Sequence, residues 1–77
     1  MNSFFWLVFK KGGDITVSIQ PAGSLAMARL KAGIAGVEGE FQEGHELDRK
    51  MTKKVPKAQI GKLLSRKQAT ALLTKLR

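Results

Sequence analysis

His45, the only histidine, is the residue best placed for chemistry, standing in Glu43-Gly44-His45-Glu46-Leu47-Asp48 among carboxylates. On an extended chain Glu43 and His45 project from one face, because side chains two apart share a side. An imidazole beside a carboxylate suits general acid–base work or half of a metal site. Two groups do not complete such a site, and the chain has no second histidine and no cysteine. So sparse a set favours a histidine simply paired with a neighbour in a polar strand or loop. Serine chemistry is no better supplied. Ser24 and Ser65 sit where helices would be capped, and Ser3 and Ser18 have no base near them in sequence. Gly33, Gly36 and Gly39 recur every three residues. They form no Gly-x-Gly-x-x-Gly turn after a strand and precede no phosphate-loop lysine, so they read as helix termination and turn. The lack of cysteine excludes a disulfide framework, a thiolate zinc site, an iron–sulfur centre and thiol catalysis. The chain is expected to be non-enzymatic, without cofactor or metal.

Charge carries more information. Fourteen Lys and Arg face six Asp and Glu, a net +8 on 77 residues with a pI near 10.4. The distribution is uneven. Residues 1–36 hold Lys10, Lys11, Arg29 and Lys31 against Asp14, a net +3. Residues 37–48 hold Glu38, Glu40, Glu43, Glu46 and Asp48 with no base, a net −5. Residues 49–77 hold ten bases and no acid, a net +10. An acidic strip abutting a wholly basic C-terminal third points to a polyanionic partner or to internal neutralisation.

The elements that must position these groups follow from pattern. Phe4-Phe5-Trp6-Leu7-Val8-Phe9 is a six-residue apolar run, favourable for a strand and far short of the roughly 20 residues of a membrane-spanning helix. Basic residues follow the run rather than precede it, unlike a secretory signal; a soluble, cytoplasmic protein without a membrane partner is expected. Gly12-Gly13-Asp14 supplies a turn, and Ile15, Val17 and Ile19 alternate with Thr16, Ser18 and Gln20. A hairpin of 3–10 with 14–20 results. Its second strand has one apolar face and its first has two, so both faces of the sheet must be covered, by this chain or by a second copy.

Pro21-Ala22-Gly23 breaks the strand, and Ser24 caps a helix over 24–35 that ends at Gly36. Met27, Leu30 and Ile34 form its i, i+3, i+7 stripe, while Ala26, Ala28, Ala32 and Ala35 permit close approach to a sheet. A third strand is expected over 39–47. Residues 49–55 read as a basic connector, and Pro56 opens a short helix over 56–63. Ser65 and Gln68 have the spacing of a capping box for a last helix, on which Ala69, Leu72, Leu73 and Leu76 line one face. The order ββαβαα predicts one small α+β domain over 1–77. It comprises a ββαβ body (1–48), the connector, and a C-terminal helix pair (56–77). The sheet is three-stranded and mostly antiparallel, with one helix on one face and the pair on the other. Within the pair, Ile60 to Thr70 resembles a helix-turn-helix in its short first helix, serine cap and Arg/Lys/Gln start, and departs from it in the turn, which shrinks to about one residue.

Two functions fit. In the first, the chain is a small binding module whose Lys50, Lys53, Lys54, Lys57, Lys62, Arg66, Lys67, Lys75 and Arg77 contact the phosphates of DNA or RNA. On the last helix Lys67, Thr70, Thr74 and Arg77 would form the contacting stripe. All five aromatics lie within 4–41, four of them in one strand, better placed for a core than for stacking on bases. In the second, the chain is a protein-interaction or self-associating module, a homodimer for instance, with the acidic strip 38–48 docked on the basic tail. A solvated charged face is the plainest account of any lysine-rich helix.

Overall fold

The computed structural model describes residues 3–76. Four strands and three helices alternate in it. β1 (Ser3–Lys11) and β2 (Asp14–Ala22) form the hairpin, followed by α1 (Leu25–Ile34) and β3 (Glu40–Leu47). After these come α2 (Arg49–Lys54), a 3₁₀ turn (Lys57–Gln59), β4 (Leu63–Ser65) and α3 (Arg66–Leu76). The sheet is antiparallel in the order β3-β1-β2-β4, with β1 and β2 central. The α+β class and the antiparallel sheet agree with the sequence, but the sheet has four strands rather than three.

The hairpin register decides which side chains share a face. Trp6 opposes Ile19 and Val8 opposes Val17, while Leu7 opposes Ser18 and Phe5 opposes Gln20. One face therefore presents Phe4, Trp6, Val8, Ile15, Val17 and Ile19, and on it lie Val55, Leu64, Ala69, Leu72 and Leu76 from the C-terminal third. The other presents Phe5, Leu7 and Phe9, over which α1 lies through Ala28 and Ala32. Both faces are covered within one chain, as a strand apolar on both sides requires. Ser18 and Gln20 of β2, which share the second face, are also buried, and Gln20 Nε2 donates to Ser18 Oγ at 2.9 Å.

β2 runs through Pro21, past the expected break. Ile19 O accepts from Gly61 N at 2.7 Å on the side away from β1. Pro21, two residues on, points the same way, beyond the reach of β4, which pairs only with Thr16, Val17 and Ser18. Its missing N–H costs no ladder bond there.

The helix pair is the main correction. Pro56 sits at φ −60° and ψ 136°, outside the helical region, so only the Lys57–Gln59 turn forms. The chain then passes Gly61 at φ +78° and enters β4, where Leu64 points inward beside Val17 and Leu63 opposes Ser18. The Ile60, Leu63, Leu64 spacing fits a helix, yet so short an apolar run also fits a strand. With a strand at Leu63–Ser65, the helix-turn-helix resemblance fails. The supposed connector is largely α2, capped by Asp48, whose Oδ1 accepts from Met51 N at 2.8 Å.

α1 also differs in its orientation. Alanines face the sheet, and Met27, Leu30 and Ile34 face outward, with 49%, 58% and 79% of their surfaces exposed. Two local constraints hold the helix so close. A Cβ on Gly44 would lie 2.6 Å from Leu25 Cδ1 and 3.0 Å from Leu7 Cδ2, so a side chain there would force these leucines to shift. At the other end Gly36 takes φ +100°, and Val37 N donates to Ala32 O at 3.1 Å, the reversal that ends a helix and returns the chain to the sheet.

Candidate nucleic-acid interface

The basic residues of the C-terminal third lie on elements that share one side of the molecule. Val55, Ile60, Met51 and the buried residues of α3 all belong to the core over the Trp6 face, so α2, the 3₁₀ turn and α3 form a layer opposite α1. Lys50, Lys53 and Lys54 ride on α2, Lys57 on the turn, Lys62 just before β4, Arg66 and Lys67 on the first turn of α3, and Lys75 on its last. Each of these is exposed, as is Arg49. Arg77 lies outside the described residues. The capping box forms as its spacing predicts: Ser65 Oγ accepts from Gln68 N at 3.2 Å, and Gln68 Oε1 accepts from Ser65 N at 3.0 Å. Arg66 and Lys67 thus stand at the positive end of the α3 dipole, where a cation is unfavourable and an anion welcome.

The threonines contribute less than the stripe suggested. Thr70 Oγ1 donates to Arg66 O at 2.8 Å and Thr74 Oγ1 to Thr70 O at 3.1 Å, so both hydroxyl protons are turned back on the helix. Donors to a phosphate come from the lysines and arginines.

The acidic strip is engaged elsewhere. Among the described residues no ion pair joins 38–48 to 49–76; Lys11 pairs with Glu38, and His45 lies near Glu43. Lys11 donates a hydrogen bond to Glu38 and adds its charge, and together these hold the Glu38 carboxyl below the usual carboxylate range. Glu40 opposes Lys10 across the β1–β3 ladder, and Asp48 caps α2. Glu38 and Glu40 meet the hairpin lysines because β3 pairs with β1, at the opposite edge of the sheet from β4, whereas Glu43 lines a cleft with Arg66 on the α3 face without pairing with it. Docking of 38–48 on the basic tail therefore has no ion pair behind it among the described residues.

His45 Nε2 lies 3.7 Å from Glu43 Oε1, with both side chains 61% exposed. The two stand opposite Trp6 and Val8 in register, at the rim of a cleft of about 210 Å³ lined also by Leu47, Met51, Leu73 and Leu76. Among the described residues no group of three or more His, Asp or Glu is close enough to hold a metal. The basic residues do not reach this cleft, so it is not part of the interface. Of the aromatics, Phe5, Trp6 and Phe9 are buried, and Phe41 is held edge-on against Phe9 with the Arg29 guanidinium 4.1 Å over its ring.

Sequence reasoning missed that α2 presents three of these lysines from a helix; the signal was Asp48 as a cap with Lys53 and Lys54 in the last turn. No family model matches the chain, and no curated protein and no solved structure matches it significantly.

Proposed function

We propose that the protein is a non-enzymatic module that binds DNA or RNA through phosphate contacts from the α2–α3 layer, without reading base sequence. One observation carries this reading. The bases of 49–76 are all exposed, lie on α2, the 3₁₀ turn and α3 or, for Lys62, just before β4, and form no ion pair among the described residues. A set of cations left unneutralised on one side attracts a polyanion and releases its counterions on contact. The two cations at the start of α3 add a place where a phosphate relieves repulsion with the helix dipole.

Sequence specificity is not expected. No aromatic of the described chain is exposed for stacking on bases, so binding rests on the backbone, which positions a protein without identifying a sequence. Fluorescence anisotropy with labelled duplex DNA, single-stranded DNA and duplex RNA, each at two salt concentrations, tests the reading. Affinity is expected to fall steeply with salt, with a log–log slope near −0.9 for each phosphate neutralised on B-form DNA. The charge reversals Arg66→Glu and Lys67→Glu together should weaken binding at least about tenfold while circular dichroism stays unchanged. Absence of binding at low salt, or binding indifferent to salt, rules the function out.

A further inference from the structure

On the reading that the basic layer binds phosphates, we infer that its polymer is RNA, and that a cleft between the 3₁₀ turn and α3 takes the 2′-hydroxyl of a ribose. Gln68, Ala71, Leu72 and Lys75 recur along one side of α3 at helical spacing and, with Pro56 and Gln59, line a cleft of about 240 Å³. The cleft lies within the layer that carries the exposed bases.

Gln59 supplies the deciding observation. Its backbone is paired: the N–H donates to Pro56 O at 3.0 Å, and the carbonyl accepts from Lys62 N at 3.3 Å. Its side-chain Oε1 is buried and has no hydrogen-bond partner among the described residues, the one buried side-chain polar atom among them left so. Buried polar atoms are nearly always paired, so an orphaned acceptor calls for a donor. The side chain as a whole is only partly buried and borders the cleft. The last torsion of a glutamine is broad, so a modest turn of the amide presents the oxygen to a ligand seated there.

The other polar groups of the cleft are donors. Gln68 Oε1 is taken by Ser65 N, which leaves the Nε2 hydrogens, and Lys75 brings an exposed ammonium in no ion pair among the described residues. One acceptor among donors matches a hydroxyl beside a phosphate. The hydroxyl gives its proton to Gln59 Oε1, and the phosphate oxygens accept from Lys75 and Gln68. An ionised phosphodiester has no proton to give, and deoxyribose within a strand has no hydroxyl, so the DNA backbone cannot supply the donor. RNA supplies it from every ribose. Bases carry donors too, but no aromatic lines the cleft to seat one by stacking.

Fluorescence anisotropy with the full chain and three labelled single strands of one sequence, RNA, 2′-fluoro RNA and DNA, provides the test. Fluorine keeps the RNA-like sugar pucker and removes the hydroxyl proton. RNA is expected to bind about fivefold or more tighter than either of the others, the effect of one hydrogen bond to an otherwise unpaired acceptor. Gln59→Met should bring RNA down to the affinity of DNA and leave DNA binding unchanged. The 2′-fluoro comparison uses the natural chain, so it decides the matter even if that variant fails to fold. Equal affinity for RNA and 2′-fluoro RNA overturns the inference and leaves phosphate binding standing, as does an RNA preference that persists in Gln59→Met. Absence of binding to all three strands at low salt overturns both.

Discussion

The Lys11–Glu38 pair is the clearest residue-level electrostatic feature of the molecule, joining the end of β1 to the segment before β3. Lys11 stabilises the ionised carboxylate, so the folded pKa of Glu38 is depressed. A depressed carboxylate contributes stability above its unfolded pKa and loses it as pH falls through the folded value. With both side chains largely exposed, the contribution is small. NMR titration of the glutamate carboxyls should show Glu38 below the usual range and returned to it in Lys11→Met. An unaltered titration in that variant would show that the pair does not persist in solution. The same scale explains His45. Its paired glutamate was legible from the two-residue spacing on a strand, but the extent of exposure was not, because sequence does not tell which strand lies at a sheet edge.

At the scale of elements, α1 shows how size rather than hydrophobicity selects the buried face. A helix against a sheet can bury either a stripe of large apolar residues or a stripe of alanines, and periodicity rates the former higher. Here Phe5, Leu7 and Phe9 already fill the space above the sheet, so the alanines fit and the larger residues turn outward. Ala28→Leu is expected to cost about 1–3 kcal/mol by overpacking. Ile34→Ser, although it removes a larger apolar group, should leave the stability of the monomer within about 0.5 kcal/mol. Urea denaturation at low protein concentration would measure both. A larger loss from Ile34→Ser would mean that the outward face is packed in the monomer. The failure of the 56–63 helix has a related cause. Leu63 and Leu64 satisfy two periods at once, and the outer backbone edge of β2 decides the matter by offering partners for a strand.

For the whole molecule, the sheet acts as a partition. On one side lies α1, whose only charges are Arg29 and Lys31; on the other lie the elements that carry most of the exposed bases of 49–76.

The hairpin, α1, β3 and the capping box of α3 could be read from sequence, because alternation, caps and turn glycines act between neighbours along the chain. So could the division of charge, which depends on order alone. Tertiary structure decided three other matters. It turned Leu63–Ser65 into a strand by placing it beside β2. It set Glu38 and Glu40 beside Lys11 and Lys10, because β3 pairs with β1, and left Glu43 in a cleft with Arg66. It also chose which stripe of α1 to bury. Each of these depends on what another element offers as a partner, and that is fixed only when distant segments meet.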